Sequence, residues 1–260
     1  MRQLRHARRS IVALASNERH VFAASHALCV YPTGAVYTFI PKNGCTTMRV
    51  SLAIANGCIR DPSEYAWVHQ NNATFVASLR ELVRAPFTFV ILREPLRRLA
   101  SVYLDKIVER REPFWHLNGL LHHPDRPDEM SFRRFVLAVL RPDILRADIH
   151  WRPQVDFLVY DEYDLWVPLE RFATFVPEIE ARAGLTVHDA RDLTRHDNTR
   201  FEQVADRCYA DASPHEIRAM RREGRTPDHL ALYDAELRAD VAETYAEDAS
   251  LYRDRTGPNE

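Results

Sequence analysis

Lysine, glycine and long apolar runs are all scarce in this sequence of 260 residues. Only Lys42 and Lys106 are lysine among 35 basic residues, so a lysine that lies within a motif is informative. Seven glycines and the lack of a G-x-G-x-x-G motif argue against a dinucleotide-binding loop and against a repeat protein. No stretch reaches the roughly 18 apolar residues of a transmembrane helix, and the apolar stretch near the N-terminus is too short for a signal peptide. We therefore expect a cytoplasmic protein without a transmembrane segment.

Paired cysteines and an excess of one charge are lacking as well. The four cysteines form no C-x-x-C motif, which argues against a zinc site or a disulfide framework and favours a reducing compartment. The formal net charge is -2, so the chain does not have the uniformly basic surface that nucleic-acid binding favours. Any anion site must therefore be local, and we expect neither a metal nor a nucleic-acid partner.

Length and composition fit one α/β domain. The chain is 46% hydrophobic and 28% charged, and a chain of this length can bury one sizeable core. We expect a single domain over residues 1–260, with a peripheral N-terminal segment at 1–34 and a ligand-binding core at 35–110. Residues 111–130, which are rich in proline, histidine and aspartate, are expected to form a long surface loop.

A strand, a polar loop and a helix follow one another near the start of that core. The run AVYTFI at 35–40 predicts a buried strand, and the loop PKNGCTT follows it. Apolar residues at helical spacing predict a helix whose N-cap is Thr46 or Thr47 and which ends before Gly57.

The same order of elements recurs further along the chain. Helical spacing predicts a helix at 72–83, and PFTFVIL at 86–92 predicts a second strand. After Arg93 and Pro95, the run LRRLASVYLDKIV predicts another helix. Alternating strands and helices imply right-handed β-α-β units and a central parallel sheet flanked by helices, with the ligand crevice outside the carboxyl ends of the strands.

Apolar spacing also predicts the remaining elements. The segment LCVYP at 28–32 is a candidate hairpin partner of the first strand, with Gly34 in the turn. A further strand is expected at 164–167, and further helices are expected at 131–140, 171–183 and 230–252.

The loop at 41–47 has the features of an anion cradle. A loop that leaves a strand and enters a helix presents backbone N–H groups and the positive end of the helix dipole, and two threonines add hydroxyl donors. The G-x-x-x-x-G-K-[ST] pattern of ATPases and kinases is absent, because Lys42 here precedes Gly44. The sequence therefore predicts a P-loop-like phosphate site and disfavours an ordinary kinase.

Four segments match the motifs of a known family. They are FIPKNGCTTM at 39–48, FVILREPLRRLASVY at 89–103, IHWRPQ at 149–154 and DLWVPLERF at 164–172. Together they resemble the carbohydrate branch of the sulfotransferases that use 3′-phosphoadenosine 5′-phosphosulfate (PAPS). The 5′-phosphosulfate loop of that branch reads P-K-x-x-C-[TS]-[ST], and its 3′-phosphate element reads R-D-P-x-x-R-L-x-S-x-Y. Glu94 stands where aspartate is usual, and the resemblance covers nearly the whole chain from about residue 35.

The resemblance implies transfer of a sulfuryl group from PAPS to an acceptor hydroxyl, leaving adenosine 3′,5′-bisphosphate (PAP), with no metal. Residues 35–110 would form the PAPS-binding core. Lys42 would stabilise the negative charge that develops on the bridging oxygen. Backbone N–H groups and hydroxyls would cradle the 5′-phosphosulfate, supplied by Asn43, Gly44, Cys45, Thr46 and Thr47.

The resemblance also assigns residues to the 3′-phosphate. Arg93 would bind it as a bidentate donor, together with Ser101. Arg98 matches a family arginine and is a further candidate, although a solvated helix face is an equally good explanation. Arg200, in the segment at 198–200, could close over the nucleotide, and a surface turn is the alternative.

Two histidines compete for the role of general base. Related heparan-type enzymes carry a histidine between the two phosphate elements, and His69 occupies that interval. An imidazole suits the role because its unperturbed pKa is near neutral. His150 is the second candidate, and His150 and Arg152 are expected to contact the acceptor. The alternative for His150 is a core histidine braced against Trp151.

The expected acceptor is a hydroxyl of a saccharide or glycolipid. The sequence has no counterpart of the Golgi stem and membrane anchor of the animal enzymes, which implies a bacterial-type cytoplasmic enzyme. Two alternatives stay open. A P-loop nucleotide kinase or NTPase would react with ATP and magnesium, and a non-catalytic PAP-binding module would bind nucleotide without transferring anything.

Overall fold

The architecture is that of a computed structural model, which describes residues 1–8, 10–71, 73–121, 126–190 and 200–257. These residues pack into two compact units. The first unit contains the described residues of Met1–Arg93, Gln154–Arg195 and Tyr252–Glu260, and the second contains those of Glu94–Pro153 and His196–Leu251. The single sulfotransferase domain expected over residues 1–260 stays a prediction.

Short strands and helices alternate along the chain. The strands are β1 (Ala27–Val30), β2 (Ala35–Thr38), β3 (Thr88–Leu92), β4 (Leu165–Pro168), β5 (Glu202–Val204) and β6 (Arg225–Pro227). The helices are α1 (Glu18–Ala24), α2 (Cys45–Ala55), α3 (Ala66–Gln70), α4 (Leu79–Arg84), α5 (Pro95–Val102), α6 (Glu112–Leu120), α7 (Phe132–Val139), α8 (Phe172–Ala183), α9 (Pro214–Arg222), α10 (Ala235–Thr244) and α11 (Ala246–Thr256).

A four-stranded sheet in the order β1-β2-β3-β4 forms the centre of the first unit. The pairs β2–β3 and β3–β4 are parallel, so the predicted parallel sheet is confirmed for three strands. The predicted hairpin partner is confirmed as β1, which pairs antiparallel with β2. Gly34 in the connecting turn has φ of 74°, a value that glycine adopts without strain. The carboxyl ends of β2, β3 and β4 therefore lie along one edge of the sheet.

Helices α2 and α8 bury apolar side chains in the same core as this sheet. Met48 and Leu52 of α2 and Ile179 of α8 are fully buried among the strand residues. Within the sheet, Tyr37 and Phe89 stack with their ring centroids 5.0 Å apart. Removing this apolar surface from water stabilises the unit and holds the start of α2 at the end of β2.

The second unit has its own apolar core. Tyr103, Phe132, Phe135 and Trp151 are fully buried there, together with residues of α5, α6, α7 and α10. Tyr103 and Phe132 meet edge to face, with centroids 5.2 Å apart. Strands β5 and β6 form a small parallel sheet in this unit.

The helix predicted at 72–83 is correct only in its second half. The backbone N–H of Cys29 donates to the carbonyl of Phe75 and that of Ala77 donates to the carbonyl of Ala27, both at 2.8 Å. Residues 75–77 therefore continue the sheet beside β1 instead of coiling. Helix α4 starts only after Ser78, which forms a capping box with Glu81.

Two further expectations were wrong in their extent. Residues 111–130 were predicted to be a loop, but they contain α6, because Phe114 and Leu117 bury one face of it in the core of the second unit. The terminal helix predicted at 230–252 is interrupted. Asp234 caps a new helix by accepting the Leu237 N–H at 2.9 Å, and α10 ends at Thr244 before its C-cap Tyr245, whose φ and ψ are -102° and 28°.

The other predicted elements are confirmed. Helix α7 lies within 131–140 with Ser131 as its N-cap, and α8 ends at Gly184, which has φ of 66°. Strand β4 lies at the predicted position. Within the described ranges, no helix has both the length and the apolar character needed to cross a membrane.

Candidate active site

The loop predicted to be an anion cradle connects β2 to α2 at the carboxyl edge of the sheet. Helix α2 begins at Cys45, and its N-cap is Gly44 with φ of 70° and ψ of 18°. The predicted threonine cap is therefore wrong, because the left-handed turn at Gly44 caps the helix two to three residues earlier. Gly44 has no side chain with which to cap the helix, so the first N–H groups are left for other partners.

Two residues of this loop have left-handed backbone conformations. Lys42 has φ of 71° and Gly44 has φ of 70°. Turns of this handedness bring successive backbone N–H groups into a concavity that suits an anion. The φ of Gly44 favours glycine, and a Cβ atom there would also lie 3.1 Å from Cδ1 of Leu169, the residue after β4, a tight contact that the leucine side chain would have to relieve.

The first turns of α2 are fastened to the segment that follows α8. The Ala190 N–H donates to Thr47 Oγ1 at 3.3 Å, and the His188 N–H donates to Ser51 Oγ at 2.8 Å. Ser51 Oγ in turn donates to the Thr47 carbonyl at 2.8 Å. The Thr47 hydroxyl accepts one backbone N–H and still has a proton to donate. Thr46, at the same end of the helix, is half-buried.

The residue after β3, Arg93, lies against the same loop. Its guanidinium Nη1 donates to the Lys42 carbonyl at 3.2 Å. Its backbone is bound by the side chain of Gln154, which accepts the Arg93 N–H at 3.1 Å and donates to the Arg93 carbonyl at 2.9 Å. The structure therefore brings together Lys42 and Arg93, two of the residues predicted from the two motifs.

Asn43 is a predicted phosphosulfate residue whose side chain faces the protein. It is fully buried, and its Nδ2 donates to the Ile91 carbonyl at 2.8 Å and to Gln154 Oε1 at 2.6 Å. The Asn43 backbone N–H donates to the Ile40 carbonyl at 3.3 Å, so Asn43 supports the loop from within, and its predicted contact with the phosphosulfate stays a prediction. Gln154 is the residue that sequence reasoning missed, although the IHWRPQ segment that ends with it was a signal.

Arg98 and Ser101 belong to α5, in the second unit. Arg98 is 3% exposed, and its guanidinium donates to the carbonyls of Arg152 at 2.9 Å and Ile149 at 3.3 Å. Ser101 is buried as well and donates to the Arg98 carbonyl at 2.7 Å. These contacts hold the segment that carries His150 and Arg152, and a phosphate-binding role for Arg98 and Ser101 stays a prediction.

Glu94, which departs from the family motif, caps α5. Its carboxylate accepts the backbone N–H groups of Leu96 at 3.1 Å and Arg97 at 2.8 Å. An acidic side chain at a helix N-terminus also interacts favourably with the helix dipole. The longer side chain of Glu94 thus binds the free N–H groups at the start of α5, at the position where the family has aspartate.

His150 belongs to a cluster of two imidazoles on one carboxylate. Its Nδ1 lies 2.7 Å from Asp148 Oδ1, and His116 Nδ1 lies 3.1 Å from Asp148 Oδ2. Burial by itself raises the pKa of Asp148, but the hydrogen bonds and charge of His150, aided by His116, outweigh it and lower that pKa to about 2. His150 is half-buried, and the Asp148 carboxylate helps to orient its imidazole.

His69 lies on the exposed side of α3 in the first unit. The buried Arg49 of α2 donates to the carbonyl of Val68, which fastens α3 to the helix that follows the loop. The Arg49 guanidinium also lies 5.1 Å from the centroid of the Phe39 ring, and burial lowers its pKa from the ordinary value. His69 as general base stays a prediction.

Arg200 is exposed in the second unit, with its guanidinium 4.7 Å from the centroid of the Phe201 ring. Residues 198 and 199, which were expected to close over the nucleotide with it, lie outside the described residues. Arg152 is half-buried, and its Nη1 lies 3.5 Å from the Arg146 carbonyl.

Comparison with known proteins agrees with the motifs. The sequence profile described as the sulfotransferase family matches residues 32–253. The chain belongs to the sulfotransferase family. Carbohydrate sulfotransferase 14 of Homo sapiens and that of Mus musculus are each 26% identical to this chain over 132 residues, covering 45% of this chain and 35% of the relative.

The match therefore spans about a third of the length of these curated relatives. In the comparison with solved structures, no structure matched. The resemblance to carbohydrate sulfotransferases that the motifs indicated is thereby confirmed at the level of the family.

Proposed function

We propose that this chain transfers a sulfuryl group from PAPS to a hydroxyl of a carbohydrate or glycolipid acceptor. Membership of the sulfotransferase family supports sulfuryl transfer, and the name of the two relatives supports a carbohydrate acceptor. The observation that carries the proposal is the position of Lys42 in a left-handed turn at the end of β2, directly before the uncapped N-terminus of α2.

The loop and its surroundings suit a multiply charged anion. Residues 41–47 contain one cation, Lys42, and no acidic side chain. The Arg93 guanidinium adds a second positive charge beside the Lys42 carbonyl, and the α2 end adds backbone donors. These groups would hold the 5′-phosphosulfate, with Gly44, Cys45, Thr46 and Thr47 presenting N–H groups and hydroxyls.

The reaction is an in-line displacement at sulfur. The acceptor oxygen forms a bond to sulfur, the bond from sulfur to the bridging phosphate oxygen breaks, and its electron pair remains on PAP. The Lys42 ammonium would offset the charge that develops on that oxygen, and a histidine would take the acceptor proton. His69 is the first candidate for this base and His150 the second.

The 3′-phosphate is assigned to Arg93, Arg98 and Ser101 by the motif. Ser101 would have to turn its hydroxyl proton from the Arg98 carbonyl toward the phosphate. Binding of the 3′-phosphate would distinguish PAPS from ATP, because ATP has no phosphate at that position. The proposal includes closure by Arg200 and acceptor contact by His150 and Arg152.

A transfer assay with labelled PAPS and a saccharide panel tests this proposal. Lys42→Ala and Lys42→Gly should each lower transfer at least about 10²-fold, because the developing charge on the leaving oxygen loses its stabilisation. Lys42→Gly also removes the cost of a left-handed side chain, so a loss common to both variants reports on the ammonium.

The matched control is Lys106→Ala. Lys106, the other lysine of the chain, pairs with Asp105 at 3.1 Å in the second unit, and its removal should leave transfer within about twofold of the wild type. Near-normal transfer by the two Lys42 variants would overturn the proposed mechanism.

A further inference from the structure

Three hydrogen bonds join the side-chain amide of Gln154 to Arg93 and Asn43. Gln154 is 1% exposed, and its Oε1 accepts the Arg93 N–H at 3.1 Å and the Asn43 Nδ2 at 2.6 Å. Its Nε2 donates to the Arg93 carbonyl at 2.9 Å. One neutral side chain therefore binds both backbone polar groups of Arg93 and, at the same time, the residue that follows Lys42.

The surrounding backbone determines the orientation of both amides. The Arg93 N–H can meet only the Gln154 oxygen, and the Arg93 carbonyl can meet only its NH₂ group. Asn43 directs its own NH₂ group at the Gln154 oxygen and at the Ile91 carbonyl, 2.8 Å away. The loop and the end of β3 are thus joined by hydrogen bonds that run from Asn43 through Gln154 to Arg93, while Asn43 Oδ1 is buried without a hydrogen-bond partner among the described residues.

Lys42 lies between two of these attachments. The Arg93 guanidinium binds the Lys42 carbonyl, and Gln154 binds the side chain of Asn43, the next residue. A left-handed conformation at a non-glycine residue costs about 1 kcal/mol or more and persists only where its neighbours impose it. The contacts around Arg93 and Asn43 supply that constraint.

We infer that Gln154 is a positioning residue, which holds Lys42 in its left-handed turn by binding Asn43 and the backbone of Arg93. The inference rests on the proposed function, since it assigns the turn to the placement of the Lys42 ammonium. Gln154 acts through the loop and has no part in the proton transfer or in acceptor binding. A small displacement of a positioned catalytic group can cost about 10² in rate.

The test compares Gln154→Met and Gln154→Glu with the wild type in the labelled PAPS assay. Methionine keeps the length and removes all three hydrogen bonds, so kcat should fall about 10- to 100-fold while KM for the acceptor stays within about twofold. Glutamate keeps an oxygen that can accept from Asn43 and from the Arg93 N–H. The kcat of Gln154→Glu should therefore lie between the values of the wild type and Gln154→Met. Gln3→Met, at an exposed position, is the control and should leave kcat unchanged.

A second arm separates positioning from general damage to the fold. In the Lys42→Arg background, Gln154→Met should lower the residual transfer less than about threefold, because the lysine that it positions is already absent. The inference would be overturned if the fold-losses of Lys42→Arg and Gln154→Met simply multiplied in the double variant. Wild-type kcat in both Gln154 variants would overturn it as well. Absence of transfer by the wild type would instead contradict the proposed function itself. If Gln154→Met does not fold, the same measurement is made on Gln154→Glu, in which kcat should fall while KM for the acceptor stays within about twofold.

Discussion

Lys42 and Gly44 show how single residues shape the loop between β2 and α2. Both are left-handed, but for different reasons: glycine adopts that conformation freely, whereas lysine must be held in it. The motif predicted that Lys42 is important. It did not predict the sign of its φ angle, because that angle depends on contacts of the loop with Arg93 and Gln154, which lie far from Lys42 in the sequence.

Gly44→Ala should weaken PAP binding. The substitution places a side chain at φ of 70° and a Cβ atom 3.1 Å from Leu169 Cδ1, so it strains the loop and crowds the leucine side chain. The control is Gly57→Ala, which has a φ of 73° and no atom within 4 Å of the added Cβ. Both variants should lose about 1 kcal/mol of stability, measured by urea unfolding, and only Gly44→Ala should raise the Kd for PAP, measured by calorimetry. Equal PAP affinity in the two variants would contradict the role given to the loop.

His69→Ala and His150→Ala should separate the two candidate bases. We expect His69→Ala to lower kcat at least about 10²-fold with little change in the Kd for PAP, since a general base acts on the acceptor proton alone. His150→Ala should have the smaller effect on kcat. The reverse order would move the assignment to His150, whose imidazole is oriented by Asp148.

At the scale of elements, the sequence predicted both strand-loop-helix connections correctly. Runs such as AVYTFI and PFTFVIL are mostly apolar, as expected of the fully buried strands β2 and β3. Local spacing failed where tertiary contacts decided the structure. Residues 75–77 pair with β1 although their pattern is helical, and α6 forms in a segment of loop-like composition because Phe114 and Leu117 find a core.

The site was less predictable than the fold. The two phosphate motifs located Lys42 and Arg93, but their link through Gln154 joins residues that are far apart in sequence. The motif located Arg98 as well, but it did not indicate the structural contacts of that side chain. Its guanidinium binds two carbonyls of the IHWRPQ segment, which no local pattern would indicate.

The segment that carries Asp148 predicts a dependence of stability on acid. The folded-state pKa of Asp148 is about 2, below its ordinary value of 3.8, so the folded protein binds fewer protons there than the unfolded chain. The stability that this carboxylate contributes is therefore present above about pH 4 and is lost as the pH falls toward 2. It amounts to about 2 kcal/mol.

Asp148→Asn should lose most of that contribution at pH 6 and show a flatter decline of stability between pH 4 and pH 2, measured by urea unfolding across that range. The control is Asp143→Asn, at an exposed carboxylate paired with Arg141, which should follow the wild-type curve within about 0.5 kcal/mol. A wild-type acid profile in Asp148→Asn would show that His116 and His150 do not stabilise the carboxylate.

At the scale of the whole molecule, a chain of net charge -2 is proposed to bind a highly charged anion. Binding of such an anion requires a local concentration of cations and backbone donors, and the loop between β2 and α2 with Arg93 provides one. Non-specific attraction by the net charge would not favour an anion. Binding should therefore discriminate between nucleotides by the placement of their phosphates.

Thermal unfolding with PAP, AMP and magnesium ATP tests this claim most directly. At about 100 times its Kd, a ligand of the folded state adds about 2.7 kcal/mol, so PAP should raise Tm by about 5–10 °C, while AMP and magnesium ATP should have little effect. The shift with PAP should shrink in Arg93→Ala, whereas Lys106→Ala should keep it. Stabilisation by magnesium ATP and not by PAP would contradict the account in favour of a kinase-like enzyme, and no shift with any of the three would contradict the nucleotide site itself.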